Sequence, residues 1–120
     1  MSETRFAPSE PRYASFEEFW PFYVREHANP TNRLLHVVGT GIVLSFGLSA
    51  LMTGQLRFVV MMPLAGYGFA WLGHFVFQGN KPATFKYPLW SLLADFKMFG
   101  LTLAGTMHLE VERAVAMPTT

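Results

Sequence analysis

The fold of this chain turns on two adjoining stretches, LLHVVGTGIVLSFGLSALMTG from Leu34 to Gly54 and FVVMMPLAGYGFAWLGHFVF from Phe58 to Phe77. Neither holds an Asp, Glu, Lys or Arg, over 21 and 20 residues respectively. At roughly 1.5 Å of rise per residue each spans about 30 Å as a helix, the thickness of a bilayer's hydrocarbon core. Both are expected to be transmembrane helices, about 34–54 and 58–77. In 120 residues too little polar sequence remains to wrap two such helices on every side in water. Only Gln55, Leu56 and Arg57 separate the stretches, so an antiparallel hairpin follows. Gly41, Ser45 and Ser49 on one helix, and Gly66 and Ala70 on the other, recur at spacing four and are expected to form its seam, because small side chains let membrane helices approach closely. Pro63, Gly66, Gly68 and Gly73 fit a membrane helix better than a soluble one.

Composition points the same way. Apolar residues make up 51% of the chain and charged residues only 14%, about half the share in an average soluble domain. The length allows one domain, expected over 15–113, with tails at 1–14 and 114–120. A formal charge of +1 gives no basic footprint for a nucleic acid. The absence of cysteine removes disulfides, thiolate metal sites and a cysteine nucleophile together. Any metal must then be held by histidine, carboxylate or amide groups, which directs attention to His27, His36, His74 and His108.

Outward from the hairpin, Arg25 and Arg33 precede the first span, Lys81 and Lys86 follow the second, and Arg57 alone sits in the turn. The positive-inside rule then puts the amino-terminal region and the 78–87 loop in the cytoplasm. The first 33 residues lack a basic start followed by an apolar stretch, so the first span is expected to serve as its own insertion signal. Ser15-Phe-Glu-Glu18 has capping-box spacing and introduces an aromatic interfacial helix, FEEFWPFYVREH, which starts either there or at Pro21 and closes at Asn29-Pro30. Pro88 to Met107 predicts a further helix carrying Asp95 and Lys97, either along the interface or within the membrane with Asp95 turned inward. Glu110, Glu112 and Arg113 then return to water. The expected class is an all-α integral membrane bundle with two spans and one or two further membrane-associated helices.

Depth in a hairpin is set by distance from its turn. His36 lies 19 to 20 residues before the turn and His74 18 to 19 after it, so the two imidazoles share a depth near the cytoplasmic end. His27 and Asp95 enter from the same end, with Glu26, Asn29, Asn32, Arg33, Asn80 and Thr84 close by. Ionisable groups at membrane depth are costly and therefore suggest function. Two or three histidines with a carboxylate and open positions suit a non-haem ferrous ion that reacts with dioxygen. His108, beside Glu110 and Glu112, reads instead as an interfacial or solvated residue.

Three blocks carry a resemblance: EHANPTNRLLH from Glu26 to His36, YGFAWLGHFVFQGNKPATF from Tyr67 to Phe85, and PLWSLLADFKM from Pro88 to Met98. In combination, from about Phe16 to Arg113, the chain resembles a family of small multi-span membrane proteins that includes the fungal 2-hydroxy fatty acid dioxygenase of phytosphingosine breakdown. The resemblance implies an iron(II)-dependent alpha-dioxygenase that shortens a 2-hydroxy fatty acid, or a related lipid, by one carbon. It implies His27, His36 and His74 as the metal ligands. Its setting would be the endoplasmic reticulum in a eukaryote or the inner membrane in a bacterium. Many relatives carry Glu four residues after the third histidine, where this chain has Gln78, a weaker ligand. Arg33 is expected to receive the substrate carboxylate and Asp95 to orient a histidine. Glu26, Asn32, Gln78 and Asn80 would stand around the ligands. The implied partners are a lipid or fatty-acid substrate, dioxygen and the bilayer. Two other readings stand beside this one: a lipid-binding or structural membrane subunit, and a small oligomeric transporter. The transporter is disfavoured because only small hydroxyls such as Ser45 and Ser49 lie between the two ends of the bundle.

Overall fold

Ser15 opens the first helix. Its side chain accepts the Glu18 N–H while Glu18 Oε1 accepts the Ala14 N–H, two otherwise unmatched donors of a helix start. The helix, α1 (Phe16–Arg25), runs through Pro21 and ends on Glu26. Asn29 then caps α2 (Pro30–Thr53), its side chain accepting the N–H of Thr31 and Asn32, and Pro30 takes a first-turn position that needs no N–H. These two residues start α2 four positions before the charge-free stretch. Gly54, at φ +69°, ends it in the left-handed region. After α3 (Leu56–Trp71) the helix continues from Leu72 to Gln78 in wider π-helical turns, in which the Gly79 N–H bonds to the carbonyl of His74 five residues back at 2.7 Å. Then follow α4 (Pro88–Leu103) and α5 (Met107–Ala116).

The computed structural model describes residues 13–82 and 86–117, and among them the fold is all-helical, with five helices and no strand. The expected tails before Tyr13 and after Met117, and Thr84 in the 78–87 loop, lie outside the described residues. α2 and the run Leu56–Gln78, at 24 and 23 residues, are each long and apolar enough to cross a membrane. Leu34, Leu44, Leu48, Leu51, Leu56 and Leu64 remain exposed along their outer faces.

The hairpin forms, on a different seam from the one expected on α2. A Cβ on Gly39 would stand 2.7 Å from Phe69 Cβ, Gly66 lies against Val43, and Gly47 lies under Met62. The seam on α2 is therefore Gly39, Val43 and Gly47. Gly41 faces Phe99 of α4, and Ser45 is exposed, its hydroxyl donating to the Gly41 carbonyl. Both sets repeat every four residues and differ by two positions, about 200° around the helix. The bulk of Phe69 decides between them, because it needs a glycine opposite.

The segment Pro88 to Met107 is not one helix. Gly105, at φ +79°, breaks it after Leu103, and α5 turns back to pack on α1. Glu110 does not return to water but accepts a hydrogen bond from Trp20 Nε1 at 2.8 Å. Phe19, Tyr23, Val24, Ala94, Met98 and Met107 form the core that α1, α4 and α5 share. Lys97 of α4 lies 4.2 Å over the Trp20 ring, so its charge is held by an aromatic face. The result is a hairpin of long apolar helices with a smaller α1–α4–α5 cluster against one end. The site lies where they meet.

Candidate metal centre

His27 lies two residues past the end of α1, His36 in the second turn of α2, and His74 in the π-helical turns after α3. All three are buried, and one ring nitrogen from each lies within 4.8 Å of the others. Ring centroids are 4.4 Å apart for His27–His36 and His27–His74, and 5.0 Å for His36–His74. The shared depth of His36 and His74 is thus present in three dimensions.

The outer nitrogens are held. His27 Nδ1 lies 2.7 Å from the Tyr23 carbonyl, which only accepts, so Nδ1 carries the proton and Nε2 a lone pair. His74 Nδ1 lies 2.7 Å from Asn80 Oδ1. The Asn80 amide is itself turned by donating to both the main-chain carbonyl and Oε1 of Glu26, so His74 too carries its proton on Nδ1. The two Nε2 atoms then face each other at 2.9 Å. Two lone pairs at that distance repel unless a cation lies between them. His36 Nδ1 stands 3.4 Å from Asp95 Oδ1, while its Nε2 is buried without a partner among the described residues.

These histidines could hold a metal ion. Metal–imidazole bonds are roughly 2.1 Å, so neighbouring ligands at right angles put their nitrogens about 3 Å apart, against about 3.4 Å for tetrahedral ligands. The 2.9 Å separation of the His27 and His74 Nε2 atoms is short enough for both imidazoles to hold one ion. Burial, with the neighbouring His36 and His74, holds the His27 imidazole well below its ordinary pKa, in the neutral form that binds metal.

Around the triad, Asn32 reaches the Glu26 carbonyl and Gln78 Oε1 through Nδ2. Gln78 Oε1 also accepts the Asn29 N–H at 2.8 Å. The amide at this position therefore ties the end of the π-helical turns to the start of α2. Glu26, Asn32, Gln78 and Asn80 thus form one network beside the histidines. Arg33 is not brought to the cavity. Its Nη1 donates to the carbonyls of His27 and Ala28, both at 2.9 Å, and clamps the connection that carries His27. His108, on α5, is exposed and does not belong to the cluster of three.

Tyr23 escaped the sequence reading because it sits in an aromatic run that reads as interfacial packing. Besides its carbonyl bond to His27, its ring stacks on His27 with centroids 4.1 Å apart, and its hydroxyl donates to Asp95 Oδ1. Burial, reinforced by Asp95, pushes the phenol's pKa well above its usual value, so it remains a donor. Its four-residue spacing before His27 was the available signal, one helical turn on the same face.

A cavity of about 370 Å³ opens beside the triad. His27, His36, His74 and Asp95 line one end, and Val43, Met62, Gly66 and Phe96 line the apolar remainder. A polar end with metal-binding capacity and an apolar body suit an amphiphile.

A family model described as 2-hydroxy-palmitic acid dioxygenase Mpo1-like matches residues 13–107. No curated protein and no solved structure matches the chain.

Proposed function

The chain belongs to the Mpo1-like family, and on that premise we propose that it is an iron(II)-dependent dioxygenase that shortens a 2-hydroxy fatty acid, or a related lipid, by one carbon. The observation that carries this reading is the buried cluster of His27, His36 and His74, with the Nε2 atoms of His27 and His74 2.9 Å apart and that of His36 unpartnered among the described residues. His27, His36 and His74 would hold the ion, and a ferrous ion there would supply the open positions at which dioxygen reacts with a chelating substrate.

The chain's own residues do the rest. Asn80 and the Tyr23 carbonyl keep two imidazoles in the tautomer that directs Nε2 inward, and Asp95 does so for His36. Arg33 holds the His27 turn through the carbonyls of His27 and Ala28. The apolar part of the cavity would take the hydrocarbon chain of the substrate. α2 and the run Leu56–Gln78 span the bilayer, with α1 and the loop after Gln78 on the cytoplasmic side.

The test is anaerobic purification with metal analysis of the parent and of His27→Ala, His36→Ala and His74→Ala. Near-stoichiometric iron in the parent and a loss of at least tenfold in each variant is expected. Negligible iron in the parent, or content unchanged across all three variants, overturns the reading and favours a lipid-binding membrane subunit.

A further inference from the structure

The cavity lies where two helices part. α3 and α4 both pack on α2, yet they do not pack broadly on one another, and residues of both line the space between them. Tyr67 of α3 and Leu92 of α4 line the cavity and are also about half exposed on the outer surface, at 49% and 51%. The cavity therefore reaches the flank of the bundle between α3 and α4, where both helices expose apolar residues.

Ser91 is the feature this arrangement leaves unexplained. It lies on α4 one turn before Asp95, lines the cavity, and is only 4% exposed, yet its Oγ has no partner among the described residues. A buried hydroxyl normally has a hydrogen-bond partner. A ligand oxygen in the cavity would provide one.

We propose that the cleft between α3 and α4 receives a single-chain 2-hydroxy acid sideways from the bilayer, with Ser91 Oγ contacting its 2-hydroxyl and the hydrocarbon chain running along Gly66 toward Met62. The identity of the head rests on the function proposed above; the path of the chain and the role of Ser91 rest on the cleft itself. Leu92 and Tyr67 are the lips past which the chain slides. Val43 and Met62, closed over the α2–α3 seam, stand at the far end.

The experiment uses metal-free protein in phosphatidylcholine nanodiscs, a 2-hydroxyhexadecanoic acid bearing a photoreactive diazirine near the chain end, and peptide mapping of the adducts. Labelling is expected within 62–67 and 92–96, displaced about tenfold better by unlabelled 2-hydroxyhexadecanoic acid than by hexadecanoic acid. Ser91→Ala should abolish that tenfold preference and Ser91→Thr, which keeps the hydroxyl, should retain it. Adducts confined to Leu44, Leu48 and Leu51 on the outer face of α2, or a displacement ratio indifferent to Ser91→Ala, overturn the proposal. Because labelling needs neither metal nor turnover, it is separable from the dioxygenase reading. Oxygen consumption by the iron-loaded parent without Ser91-dependent labelling sinks only the cleft, whereas Ser91-dependent labelling without oxygen consumption sinks only the dioxygenase.

Discussion

At the scale of single residues, the triad depends on side chains that touch no metal. Tyr23 supports two limbs of the site, His27 through its carbonyl and ring and His36 through its hydroxyl on Asp95. Tyr23→Phe removes only the second limb. Cobalt(II) affinity, followed by ligand-field absorption in purified protein, should fall about 10- to 100-fold, the usual effect of losing a group that orients a ligand. Unchanged affinity would show that Asp95 holds its position without the phenol. Gly73 offers a steric counterpart. It lies beside His74 in the π-helical turns, and a Cβ there would overlap Asn32 Oδ1 and crowd the Asn32 backbone. Gly73→Ala should cost about 1–3 kcal/mol through overpacking, read as a lowered thermal midpoint in detergent. The common depth of His36 and His74 was legible in the sequence because depth follows from counting residues. Tyr23 and Ser91 were not, since their significance lies in contacts across 72 residues of chain for Tyr23 and Asp95, and in a missing contact for Ser91.

At the scale of elements, local signals placed most boundaries. The capping box at Ser15, the Asn29-Pro30 start of α2 and the glycine at its end are readable because each answers a backbone requirement within a few residues. The break at Gly105 was missed, since one glycine within an apolar run reads as a helix interior until a positive φ is seen. The return of α5 rests partly on Trp20 and Glu110. Trp20 and Arg113 hold the Glu110 carboxyl below its ordinary pKa, so this contribution is present above the unfolded carboxylate value of about 4.3 and is lost as pH falls through the lower folded value. Glu110→Gln should therefore lower the thermal midpoint near neutral pH, and the difference from the parent should shrink as pH falls below about 4. A difference that grows on acidification would assign the pH response to another group. The small-residue seam was misplaced for a comparable reason: two stripes of spacing four compete on α2, and only Phe69 on the facing helix chooses between them.

At the scale of the molecule, the hairpin puts both of its open ends on one side, joined by Asn29 to Phe77 and Gln78. If that side is cytoplasmic, single cysteines introduced for Ser15 and Lys81 should react from the cytoplasm and one for Gln55 only from the opposite face. Equal reactivity of all three, or opposite sidedness of Ser15 and Lys81, would break the two-span arrangement. The absence of native cysteine makes this labelling unambiguous. By itself, the sequence determined the all-helical class, the two long apolar helices and the common depth of His36 and His74. These follow from helical rise and from where charge is missing, both properties of the chain taken in order. Tertiary structure alone decided which face of α2 meets α3, that α5 folds back on α1, that Arg33 clamps a turn rather than lining the cavity, and that α3 and α4 part to leave a cleft. Those outcomes depend on the shapes of side chains that meet from distant positions, and no periodicity within one segment encodes the shape of its partner.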